Sequence, residues 1–155
     1  MDLLIKMNYV VGVIVVRINL IKPELLADQH LNAEYHEILM LFGYYRKNKV
    51  VQNSEDNLKH PIQFYKNKLL YLKKRFNVIV KEKEKRGFRS NKNIINNGFS
   101  IDRYNDFKPE EIHINRIKER IKQRIKERPN WYRYYGEYRK PEFFENLLEN
   151  KVDIQ

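Results

Sequence analysis

In the stretch "QHLNAEYHEILM", side chains able to move protons or hold an anion recur at helical spacing. At about 100° per residue, His30, Glu34 and Glu37 fall within a narrow arc, opposite much of an apolar stripe of Leu31, Tyr35, Ile38 and Phe42. Two readings stand open: a solvated polar face, or one carboxylate held in a basic groove to handle protons. A metal centre fits poorly. Glu110-x-x-His113 is a single Glu-x-x-His, whereas a di-iron bundle needs two of them with further glutamates, and no His-Glu-x-x-His occurs. There is no cysteine, which removes thiolate nucleophiles, disulfides and cysteine-ligated zinc together. No metal or cofactor is expected.

A second constellation is basic. "RIKERIKQRIKER" (116–128) sets Arg116, Arg120, Arg124 and Arg128 four apart beside Ile117, Ile121 and Ile125. Such a helix docks through isoleucine and displays arginine at its edge. Its seven cations and two carboxylates pair weakly with one another, which favours an external anion. The arginine edge leads into "RPNWYRYYGEYRK" (128–140), where Trp131, Tyr132, Tyr134, Tyr135 and Tyr138 interleave with Arg133, Arg139 and Lys140. Rings beside cations suit a polyanion whose bases can stack. The plainer reading is that Trp131 and two tyrosines cap a small core. Across the chain, 31 Lys+Arg against 20 Asp+Glu give a net charge of +11, which attracts phosphate backbones or anionic membranes.

The elements that must position these groups are helical. At 155 residues the chain is one domain with room for a real core. The β-branched run "YVVGVIVV" (9–16) reads as a strand or extended arm and is too short to span a bilayer. Arg17 follows it without a signal-peptide cleavage pattern, so the protein reads as soluble and intracellular. A first helix starts near Pro23, and Gly43 ends or weakens it. Residues 48–61 are a loop; a second helix runs over 62–86, with Phe64, Leu69, Leu72, Phe76 and Ile79 as its stripe and Gly87 as its stop. Residues 90–106 form a long polar connection of the kind kept for binding or left mobile. A third helix runs from near Pro109 to Pro129. Three main helices and no hairpin signal predict an all-α domain, with an aromatic C-terminal loop.

Four segments, in order, carry a resemblance: "VRINLIKPELLADQHLNAEYHEILM" (16–40), "FYKNKLLYLKKR" (64–75), "KRGF" (85–88) and "RPNWYRYYG" (128–136). Together they resemble the pyrimidine-dimer DNA glycosylases, the phage-type endonuclease V family, which cut DNA at ultraviolet photoproducts. The resemblance implies an all-α fold, no metal or cofactor, and double-stranded DNA containing pyrimidine dimers or abasic sites as partner, bound by a monomer. It also implies a mechanism. The α-amine of the mature N-terminal residue attacks the sugar C1′ and forms a Schiff base, while a glutamate on the first helix handles protons. An α-amine suits that task because its pKa, about 8, leaves a useful unprotonated fraction where lysine, at about 10.4, does not.

By this resemblance Val16 matches the nucleophile, Glu37 the glutamate and Arg17 the arm arginine. Gln29 and His30, then Arg120 and Arg124, match DNA-contacting residues, and Trp131, Tyr132, Arg133, Tyr134 and Tyr135 match the aromatic loop. His36, counted with the DNA contacts, stands where the family has an arginine, and Met40 replaces another, so phosphate clamping on that helix is weaker or supplied elsewhere. Residues 1–15 precede Val16, and an internal Val16 offers only an amide nitrogen. The expected organisation is therefore a 1–15 extension outside the mature chain, a glycosylase-like domain over 16–140 and a tail over 141–155. The alternative is a catalytically inactive DNA-binding protein that keeps the clamp and the aromatic platform.

Overall fold

A computed structural model describes residues 17–95 and 97–150, and within them the chain is mostly helical. Pro23 opens only a single 3-10 turn, Pro23–Leu25; the chain then extends through Leu26 and Ala27 before helix α1, Asp28–Lys47. The first helix thus starts five residues later than Pro23 alone suggests. Leu31, Tyr35, Ile38 and Phe42 are buried on α1 as their spacing predicts. Gly43 does not end the helix. A mid-helix glycine costs about 1 kcal/mol, and the turn beyond it buries Tyr45, whose hydroxyl donates to the Ile62 carbonyl at 2.7 Å.

The helix expected over 62–86 is divided into α2, Pro61–Tyr65, and α3, Leu69–Lys85. The break at 66–68 is occupied from outside the helix: Lys68 forms a bridge with Tyr104, and the Tyr71 N–H donates to the Asn105 carbonyl at 3.3 Å. All five stripe residues of this segment are nevertheless buried. At the other end, Gly87 adopts φ +85°, and the Phe88 and Gly87 N–H groups bond back to Lys83 and Glu84 at 2.8 and 3.0 Å. This left-handed stop closes the last turn of α3.

Helix α4, Glu111–Glu127, buries Ile114, Ile117, Ile121 and Ile125. Its start explains the Glu-x-x-His pattern. The Glu110 side chain accepts from the backbone of His113, and His113 Nδ1 accepts the Glu110 N–H at 3.0 Å, a reciprocal cap rather than a metal half-site. The aromatic segment forms a hairpin that sequence reading did not anticipate: β1, Arg133–Tyr134, pairs antiparallel with β2, Glu137–Tyr138. Tyr135 (φ 52°) and Gly136 (φ 81°) make the two-residue turn, with positive φ at both positions as the twist of a tight hairpin requires. Residues Pro141–Asn150, within the segment read as a tail, form helix α5; it sinks Phe144 and Leu148 into the core and reaches α4 through Glu149–Lys122 (3.2 Å) and Glu145–Lys126 (3.3 Å). No helix of the described residues is long and apolar enough to cross a membrane.

Candidate active site

The arc of His30, Glu34 and Glu37 is not a solvated face. Glu34 is fully buried and paired with Arg75 of α3, itself fully buried, through two bonds of 2.7 and 3.0 Å. Asn19 Nδ2 donates to the same carboxylate at 3.1 Å, and Arg120 Nη2 reaches Asn19 Oδ1 at 3.4 Å. Arg75 also donates to the Ile21 carbonyl. The arm is bent sharply at this point: Leu20 has φ +63°, and the Ile21 N–H donates to the Asn19 carbonyl at 2.6 Å across it. A buried leucine in the left-handed region costs on the order of 1–3 kcal/mol. The buried Glu34–Arg75 pair holds the arm in that turn, so the conformation of residues 17–21 is set by α1 and α3 together.

Glu37 lies one turn along α1 from Glu34. Burial raises its pKa from the ordinary carboxylate value to about 7; Arg17 and Arg120 oppose the shift, and the Glu34 carboxylate adds to it. One of its oxygens is buried without a hydrogen-bond partner among the described residues. Arg17 is held below its usual pKa by burial and by the Arg124 guanidinium, with Glu37 pulling the other way. Arg120 is lowered to about 10 by burial and then by Arg17. Arg17 and Arg120 thus act on a carboxyl whose pKa burial lifts to about 7, and Arg124 acts on both guanidiniums in turn. A carboxyl with such a pKa can give or take a proton at little cost.

His30 completes this wall as a neutral ring. Burial, with Arg17, Arg120 and Arg124 nearby, lowers its pKa to about 4. It stacks at a tilt on Tyr132, 4.8 Å between centroids. Tyr132 is only 6 % exposed and meets Phe144 of α5 edge-on, so it is a core residue and not part of an exposed stacking surface. Gln29 is likewise tied inward: its Nε2 donates to the Trp131 carbonyl at 2.7 Å and its Oε1 accepts the Arg133 N–H at 3.0 Å.

The hairpin is clamped to the helices by groups that sequence reading left without a role. Asp28 accepts the N–H groups of Tyr135 and Gly136 at 3.0 and 2.8 Å and pairs with Arg86 at 2.9 Å. Arg86, its side chain fully buried, also bonds Glu82 and the carbonyls of Leu26 and Pro23, and lies against the rings of Tyr134 (4.7 Å) and Tyr135 (4.8 Å). The Tyr134 hydroxyl donates to the Glu24 carbonyl, and the Tyr135 hydroxyl to Glu82. What remains outward is Trp131, 41 % exposed beneath the Arg128 guanidinium at 3.9 Å, together with Tyr135 and Tyr138.

Of the residues singled out from sequence, Arg17, His30, Glu37, Arg120 and Arg124 lie within electrostatic reach of one another. Gln29, Tyr132, Arg133, Tyr134 and Tyr135 form or anchor the adjoining hairpin. His36 stands apart, exposed on α1 edge-on to Tyr35 and nearer Lys83 and Lys92. Val16 lies outside the described residues. Asn19, Arg75, Asp28 and Arg86 were missed, and the only signal for them was their presence in "RINL", "KKR", "LADQ" and "KRGF". Among the described residues no group of three or more His, Asp or Glu side chains could hold a metal ion.

The family model described as pyrimidine dimer DNA glycosylase matches residues 15–96, a stretch that carries Arg17, Glu34, Glu37, Arg75 and Arg86 but neither α4 nor the hairpin. With the match covering more than half the chain, the protein belongs to the pyrimidine dimer DNA glycosylase family, and its role by family is that of a DNA-repair glycosylase.

Proposed function

We propose that this chain is a glycosylase and AP lyase acting on duplex DNA at pyrimidine dimers and abasic sites. In this reading an unprotonated α-amine at Val16 attacks C1′ of the damaged nucleotide. The glycosidic bond breaks, the base leaves with a proton, and loss of the amine proton and opening of the sugar ring give the Schiff base. The imine acidifies the C2′ hydrogen; the Glu37 carboxylate removes it, and β-elimination expels the 3′ phosphate. Arg17, Arg120 and Arg124 hold phosphates around the site, and Trp131 offers a stacking face to a displaced base. The observation that carries the reading is Glu37: a mostly buried carboxyl with its pKa lifted to about 7, with Arg17 and Arg120 beside it. Val16 is joined to Arg17 by one peptide bond, and Arg17 is among the groups that feel Glu37.

A second reading rests on one specific observation: with residues 1–15 attached, the Val16 nitrogen is an amide and not a nucleophile. In that form the chain would bind DNA through the same cations without cutting it. The test of the enzyme reading is Glu37→Gln in a chain that starts at Val16. Strand cleavage at a dimer is expected to fall by at least a hundredfold while binding of the same duplex stays within a few-fold. A variant nicking at the parent rate would remove Glu37 from the chemistry.

A further inference from the structure

The connection over 90–106, long and polar in the sequence, takes no part in the site above. Its second half instead meets the C-terminal end of α1 around two adjoining depressions, about 470 and 360 Å³, that share Lys49, Ser100 and Arg103 as walls. Arg46 lines one of them and Lys66 the other, so four cations face a single carboxylate, Asp102. Several surface cations elsewhere are paired: Lys74 with Asp106 at 2.7 Å, Lys122 with Glu149 at 3.2 Å, Lys126 with Glu145 at 3.3 Å. Among the described residues none of Arg46, Lys49, Lys66 and Arg103 has a carboxylate partner.

Both guanidiniums are held in place in advance. Arg46 lies 5.1 Å and Arg103 5.4 Å from the centroid of the same ring, Phe99, and Arg103 also lies 5.1 Å from that of Tyr45. Arg46 donates to the carbonyls of Ile95 and Asn97, and Arg103 Nε to that of Lys66 at 3.0 Å. These bonds take up a minority of the N–H groups of the two residues, five on each guanidinium. Gly98, with φ +86°, lines the same depression as Arg46, and a Cβ there would lie 3.7 Å from Arg46 Nη1. The C-terminal dipole of α1 opposes an anion here, but it amounts to roughly half an elementary charge, less than any one of the four cations.

We infer that this cleft is a second phosphate-binding site, built to take a nucleotide or backbone phosphate between Arg46, Arg103, Lys49 and Lys66. It is separate from the Glu37 site: Arg46 is nine residues on, about 14 Å along α1 and half a turn round its axis. The two sites thus lie on different sides of α1. The ligand of the cleft is a phosphate of a DNA backbone or of a free nucleotide, and the inference does not depend on the lyase chemistry.

The experiment is an amide-shift titration of the ¹⁵N-labelled full chain with inorganic phosphate, a deoxynucleoside 5′-monophosphate and an undamaged duplex, each at constant ionic strength set with chloride. The amides of Gly98, Ser100 and Arg103 are expected to shift saturably with phosphate and with the monophosphate. Shifts with the duplex as well assign the cleft to a DNA backbone; their absence with the duplex assigns it to a free nucleotide. Lys49→Glu, at an exposed position without a partner in the described fold, should weaken these shifts at least tenfold, and Arg103→Gln should do the same. Lesion cleavage by a chain starting at Val16 should stay within about twofold in both variants. Unmoved amides at 98–103, or equal shifts with chloride alone, overturn the inference, as does a Lys49→Glu chain that titrates like the parent.

Discussion

At the scale of single residues, Glu37 and His30 make opposite demands on the fold. The Glu37 carboxyl binds its proton more tightly folded than unfolded, about 7 against 4.5. Its contribution to stability therefore falls as pH rises through that window, and above pH 7 the ionised group remains a cost of about 1–2 kcal/mol, allowing for solvent screening. His30 is lowered from 6.5 to about 4, so its contribution falls as pH drops through that window, because the unfolded chain takes up the proton first. The two slopes offset one another between about pH 4.5 and 6.5. Glu37→Gln removes one of them. The variant is expected to melt several degrees above the parent at pH 8 and to lose that advantage toward pH 5, as measured by thermal unfolding at both pH values. The same Tm difference at both would show that burial does not govern this carboxyl.

At the scale of elements, the hydrophobic faces were legible and the junctions were not. The stripes of α1, α3 and α4 follow from spacing alone, because burial of isoleucine, leucine and phenylalanine dominates where a helix lies. The break at Lys66–Lys68 and the late start of α1 depend on distant partners, Tyr104, Asn105 and Arg86, which no local pattern announces. The hairpin escaped for a different reason. Its Tyr135-Gly136 turn lacks the usual Asn-Gly or Asp-Gly pair, and the energy that sets it comes from Asp28, over a hundred residues earlier. Arginine spacing on α4 found the cations of the candidate site, whereas the buried Glu34–Arg75 pair looked like ordinary surface charge. Asp28→Ala tests the clamp. It strips an acceptor from two backbone N–H groups and leaves Arg86 partly unpaired, for an expected loss of about 3 kcal/mol. Trp131, the single tryptophan, is a local reporter. Its fluorescence transition in urea should precede loss of helix by circular dichroism in the variant and coincide with it in the parent. Coincident, unshifted transitions would contradict the clamp.

At the scale of the whole molecule, the net charge of +11 includes a cluster of guanidiniums, Arg17, Arg120 and Arg124, beside the Glu37 carboxyl. Arg124 is the exposed member of that cluster. Arg124→Ala should reduce the slope of log affinity against log salt by about one for damaged and undamaged duplexes alike; an unchanged slope would remove it from the phosphate contacts. The central claim, an amine at Val16 acting with Glu37, is tested most directly by borohydride trapping on abasic-site DNA followed by peptide mapping. Chains beginning at Met1 and at Val16 are compared. A covalent adduct at residue 16 is predicted for the chain with a free Val16 amine, and none for the chain that carries residues 1–15. Efficient trapping by the longer chain, mapped to a lysine, would contradict the account and move the nucleophile elsewhere.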